Sequence, residues 1–177
     1  MIRILVVSHC ILNKASKVKQ DENDLEEEYR IRQQFLEKIV EKDIQLIQLP
    51  CPEFLIYGSR RWGHVKDQFQ HPHFKKECKK MLMPVLMQME EYLSYPKEYE
   101  IIGIVSVEGS PSCGFNLTCR GHWGGEIGNN PDAIAEIQSN LSMNEEPGVF
   151  MQILLDEIQS KNMDVPVLRM QEAIEKI

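Results

Sequence analysis

The chain has 177 residues, 42% of them hydrophobic and 27% charged, an ordinary globular balance with enough length for one sizeable core. Its formal net charge of −7, densest in the acidic run 21–28, comes with no Lys/Arg block. This excludes a phosphate-tracking surface for a nucleic acid polymer. No apolar run approaches the ~20 residues that span a bilayer, so no membrane partner is expected. The first residues lead straight into an apolar run without a leader pattern, which predicts a cytoplasmic chain. Thiols stay reduced there, so the five cysteines read as metal ligands, catalytic groups or packing rather than as a disulfide framework.

Ile2–Val7 is apolar on both faces and predicts a central strand, ending at Ser8, His9 and Cys10. Residues 11–20 have no period and predict a loop over a site. Residues 21–42 carry Leu25, Tyr29, Phe35, Leu36, Ile39 and Val40 at helical spacing, with acidic residues where the helix dipole favours them. A second strand is predicted over 44–49, running into Pro50-Cys51-Pro52-Glu53. Residues 54–70, with Gly58, Gly63, two arginines and Trp62, predict an irregular lid. Pro72 stands where a helix begins, and 73–92 predict a long helix that kinks or breaks near Met83 because of Pro84. Its methionines suggest core packing or a face for a second copy, a homodimer.

A third strand over 100–107 runs into Gly109-Ser110-Pro111-Ser112-Cys113-Gly114. Residues 113–131 predict a second irregular region, 131–140 a short helix, 147–161 a helix, 165–168 a short strand and 170–177 a terminal helix. Strands alternating with helices predict a single α/β domain over 1–177, a Rossmann-like parallel sheet of about four strands flanked by helices. In such sheets ligands sit outside the carboxyl ends of the strands.

Three predicted strands end in Cys10, Cys51 and Cys113, so three sulfurs are expected to meet in one crevice. Structural zinc wants four ligands, usually in closely spaced pairs, and these pairs are absent. Iron–sulfur clusters take thiolates from distant parts of a chain. Three thiolates on a [4Fe–4S] cluster leave one iron open to a soft substrate sulfur. Cys119 or a histidine filling that fourth position would instead make the cluster structural or electron-transferring. Glu53, two residues after Cys51, is the candidate general acid/base and Ser110 the candidate catalytic hydroxyl. His9, Asn13, Trp62 and Ser112 are the candidate substrate contacts.

The motifs Val7-Ser8-His9-Cys10, Cys51-Pro52-Glu53 and Gly109-Ser110-Pro111-Ser112-Cys113-Gly114 resemble those of the thiouracil desulfidase family, over Met1 to about Glu126. The resemblance implies a [4Fe–4S] cluster on Cys10, Cys51 and Cys113, with Glu53 and Ser110 assisting proton transfer. It further implies hydrolytic C–S cleavage of a small thiolated substrate such as a thiolated nucleobase. Where that family carries Leu-Leu-Gly and a second cysteine after the first motif, this chain has Ile11-Leu12-Asn13 and no cysteine before Cys51. Where it carries a Gly-Gly run after the second, this chain has Phe54-Leu55-Ile56-Tyr57-Gly58 and Arg60-Arg61-Trp62. Both departures fall in loops expected to line the substrate pocket. A sulfide carrier, a redox sensor and a cluster-free enzyme with Cys113 as nucleophile are the alternatives.

Overall fold

In the computed structural model, which describes residues 1–177 with Glu22 given by its backbone alone, Ile4, Leu5, Val6 and Val7 are buried without interruption. Strand β1 (Ile2–Val7) is therefore covered on both faces from Ile4 onward, as the apolar run Ile4–Val7 requires. After it come α1 (His9–Leu12), a 3-10 turn (Lys14–Ser16), α2 (Glu22–Glu41), β2 (Gln45–Gln48), α3 (Pro52–Tyr57), α4 (Lys66–Phe69) and α5 (Pro72–Leu93). The second half holds β3 (Tyr99–Val105), β4 (Thr118–Arg120), α6 (Ala133–Ser139), β5 (Ser142–Asn144), α7 (Val149–Ser160), β6 (Val167–Leu168) and α8 (Met170–Lys176).

The main sheet is parallel throughout, with strand order β2-β1-β3-β6. Helices flank it: α2 packs against α8, α5 packs against α7, and both α5 and α8 reach β3. The buried side chains form one continuous cluster, with Phe35 of α2, Phe74 and Leu82 of α5, and Phe150 and Leu154 of α7 fully enclosed. The fold is thus the α/β arrangement that the alternating pattern predicted.

The elements differ from expectation in instructive places. Helix α5 runs through Pro84 without a break. Pro84 lies on the exposed face between the buried Leu82 and Val85, so water can serve the carbonyl that its missing N–H leaves free. The methionine stripe divides: Met89 is wholly buried, while Met83 and Met87 are exposed. Val40, placed on the apolar face of α2 by its spacing, is 81% exposed near the helix end. The stretches predicted to be irregular hold short elements, too brief to show a period: α1, the 3-10 turn, α3, α4 and β4, which pairs antiparallel with β5 in a stretch given no predicted element. No helix among the described residues is long and apolar enough to cross a membrane.

Candidate functional site

The carboxyl ends of β1, β2 and β3 open onto one cavity of about 330 Å³. Each delivers its cysteine by a different local device. Beyond β1, Ser8 donates from both its N–H and its hydroxyl to the Val105 carbonyl, which ties β1 to β3 and starts α1 with Cys10 in its first turn. Cys51 caps α3: its Sγ accepts from the Phe54 N–H at 3.4 Å, and Pro52 occupies the first helical position. Cys113 closes the turn after β3. There the Ser110 hydroxyl accepts from the N–H of Cys113 at 3.0 Å and from that of Ser112 at 3.3 Å. Gly109 at the head of this turn has φ +78, a conformation that suits glycine.

The start of α7 pins that turn from behind. The N–H groups of Gly148, Val149 and Met151 donate to the carbonyls of Gly114, Pro111 and Ser112. Donors that a helix start leaves unpaired thereby hold the turn that carries Cys113.

Cys10, Cys51 and Cys113 all line the cavity, and none is in a disulfide. Burial raises all three thiol pKa values, that of Cys10 to about 12 and that of Cys113 well above its ordinary value. For Cys113 the charges of Cys10 and Cys51 add to the rise, and for Cys10 that of Cys51 does, so the three groups lie within electrostatic reach of one another. Such a thiol is a poor nucleophile by itself. A bound cation reverses that logic by favouring thiolate. Among the described residues no group of three or more His, Cys, Asp or Glu side chains is drawn together as for a single metal ion. A polynuclear cluster makes a different demand, since its thiolates attach to separate irons and stand apart around a shared space. Three soft donors spread around one cavity fit that demand. Cys119, on β4, lines the same cavity half-buried, its pKa raised by burial and then by Asp67.

Beside the thiols, Glu53 is 8% exposed, and its carboxylate is held from both sides. The Ser112 hydroxyl donates to Oε1, and Arg61 Nε lies 3.4 Å from Oε2. Arg61, itself almost wholly buried, also donates to the carbonyls of Gly58 and Ser16, so one guanidinium joins both irregular segments to the carboxylate. Ser110 Oγ lies 3.3 Å from Ser112 Oγ, extending the line to Ser110, Ser112, Glu53 and Arg61. Lys17, another lining residue, pairs with Glu28 of α2.

The predicted site residues separate into two groups. Cys10, Cys51, Cys113, Glu53, Ser110 and Ser112 come together at the cavity. His9, Asn13 and Trp62 are not among its lining residues. His9 contacts Gln48, with its pKa lowered by burial; Asn13 accepts from the Ala15 N–H to cap the 3-10 turn; Trp62 is 77% exposed. Arg61, Lys17 and His64 were missed as site residues. A basic residue in an irregular stretch carries no period that announces its burial.

The network beyond the cavity is built from long-range ion pairs. Arg120 of β4 pairs with Asp67 of α4 at 2.7 Å and with Glu146 at 2.8 Å, and Lys66 pairs with Glu146 at 2.6 Å. These contacts fix β4, and with it Cys119, against α4.

Among known proteins, this chain is similar to one from Methanocaldococcus jannaschii, "Uncharacterized protein MJ0003". The two are 34% identical over 111 residues, 63% of this chain and 67% of that one. No protein-family model and no solved structure matches the chain.

Proposed function

We propose, from the premise that the chain belongs to the family of that archaeal protein and from the site's geometry, that it is a [4Fe–4S]-dependent desulfidase acting on a small thiolated compound. One observation carries the reading: three free thiols from three successive strand ends share a cavity with a buried, hydrogen-bonded carboxylate. Cys10, Cys51 and Cys113 are the residues that would hold the cluster, and its remaining iron would supply a soft Lewis acid for the substrate sulfur. A thiolated nucleobase is the substrate class in view.

The chain's own residues handle protons and position. Arg61 and the Ser112 hydroxyl fix the Glu53 carboxylate, so it meets the substrate without rearranging. The line from Ser110 Oγ through Ser112 Oγ to Glu53 Oε1 carries a proton between the cavity and the carboxylate. Overall, water adds to the thiocarbonyl carbon, the C–S bond breaks, a carbonyl forms and hydrosulfide leaves.

The test is purification without oxygen, followed by iron, acid-labile sulfide and visible absorbance. About four irons with matching sulfide are expected, lost in Cys113→Ala. Full retention of the cluster in that variant refutes the ligand assignment. Glu53→Gln is expected to keep the cluster and lose turnover by ~10²-fold or more. Hydrosulfide released from a thiolated base with no partner protein present separates this enzyme from a sulfide carrier.

A further inference from the structure

Helix α5 carries its charges in the reverse of the order that its dipole favours. Lys75 and Lys76 lie at its start, Lys79 and Lys80 follow one turn on, and Glu90 and Glu91 stand in its last turn. The first turn holds no acidic side chain and the last turn no basic one. A helix N-terminus favours acidic groups and a C-terminus basic ones, so this order works against the helix itself. Helix α8, with Glu172 in its first turn and Lys176 in its last, has the ordinary order. A local rule broken along one face points to a use beyond the helix that bears it.

Between the two charged ends lies an apolar patch. Met83 and Met87 are 50% and 62% exposed, while Leu82, Val85, Leu86 and Met89 are turned into the core. Lys76, Lys80, Met83 and Met87, all exposed, are spaced by four, three and four residues, and the partly exposed Glu90 follows after three more. That alternation keeps side chains on one seam, as in paired helices. Single exposed apolar side chains are ordinary. Here two adjoin on one seam, with lysines at one end and glutamates at the other. Lys80 lies 3.8 Å from Glu77 of its own helix, a long contact, and its side chain is mostly in water.

We propose that this face of α5 binds the same face of a second copy of the chain. The two helices run antiparallel about a two-fold axis that passes midway between Met83 and Met87. In that register Met83 of each copy lies against Met87 of the other, and Lys80 of each lies beside Glu90 and Glu91 of the other. The charge order that opposes a lone helix becomes complementary in the pair, because each basic half meets an acidic half and the dipoles run in opposite directions. A parallel pair would set lysine against lysine. Within each chain, Lys79 pairs with Glu157 and Lys161 with Glu90, which fixes α5 to α7 along the flank of the seam. The contact of one helix with one helix is smaller than a standard interface, so the dimer forms reversibly as concentration rises. The proposal is independent of the desulfidase reading.

Sedimentation equilibrium from micromolar to submillimolar protein tests it. The mass is expected to rise with concentration from the 20.6 kDa of one chain toward twice that value. Met83→Lys combined with Met87→Lys is expected to stay at the mass of one chain, with circular dichroism and urea midpoint unchanged because both side chains are exposed. Lys80→Glu alone and Glu91→Lys alone are each expected to weaken association by ~10-fold or more, since the two-fold axis repeats each change. An equimolar mixture of those two variants is expected to recover part of the loss. A wild-type protein that stays at the mass of one chain throughout overturns the proposal. A dimer that persists in the double methionine variant overturns the assignment to this face, and a mixture no tighter than the single variants overturns the antiparallel register.

Discussion

Glu53 and Arg61 form a buried pair whose members depend on each other, because a carboxylate enclosed at 8% exposure without its cation is strongly disfavoured. Arg61→Met is expected to lower the unfolding free energy by ~3–5 kcal/mol, read from urea midpoints. Adding Glu53→Gln to it is expected to recover part of the loss, since the second change removes the stranded charge. Equal losses in the single and double variants would mean that Arg61 acts through the Gly58 and Ser16 carbonyls instead. Ser110 and Ser112 divide their work. Ser110 organises the turn through two backbone N–H groups, while Ser112 is the hydroxyl that reaches Glu53.

Between elements, the decisive joint is where α7 begins against the Ser110–Cys113 turn. A Cβ at Gly148 would stand 2.5 Å from the Ser112 carbonyl carbon and 2.8 Å from the Pro111 oxygen, both backbone atoms that cannot step aside. Gly148→Ala is therefore expected to cost ~1–3 kcal/mol and to impair the site as well, because the displaced turn carries Cys113. Normal stability with normal cluster content in that variant would contradict the joint. Helix α5 shows the opposite economy. Pro84 is exposed within an unbroken helix, so Pro84→Ala is expected to raise the urea midpoint, by ~1–3 kcal/mol in free energy, without touching the site.

Across the whole molecule, the pairs of Asp67 and Glu146 with Arg120 and Lys66 link segments far apart in the chain. Hydrogen bonds from Arg120 hold the Asp67 carboxyl below its ordinary 3.8, and those from Lys66 and then Arg120 hold Glu146 below its ordinary 4.5. Because the folded values are depressed, the stability these groups add is fully present above about 4.5 and is lost as pH falls below their ordinary values. Stability measured against pH is expected to decline through that acid range, and Arg120→Ala to flatten the decline. An unchanged acid slope in that variant would show that the network contributes nothing across this range.

Much of this protein was legible in its sequence. Ile2–Val7 and 101–105 announce themselves as strands because an apolar run rich in β-branched residues suits a strand buried on both faces. The three strand-end cysteines, with Glu53 beside the second, were visible because parallel topology brings the carboxyl ends of strands to one edge. What stayed hidden was set by long-range contacts of side chains in aperiodic segments. Arg61 looked like half of a basic pair in a lid, and only its reach to Glu53, Gly58 and Ser16 makes it a buried strut. His64 gave no signal, since its place at the cavity beside Tyr57 and Phe69 is set by tertiary contacts. Trp62, expected as a substrate contact, stands 77% exposed and outside the cavity lining. Local chemistry and period determined the sheet and the thiols that end its strands; which neighbouring charges and rings surround those thiols was decided only when segments distant in sequence closed on one another.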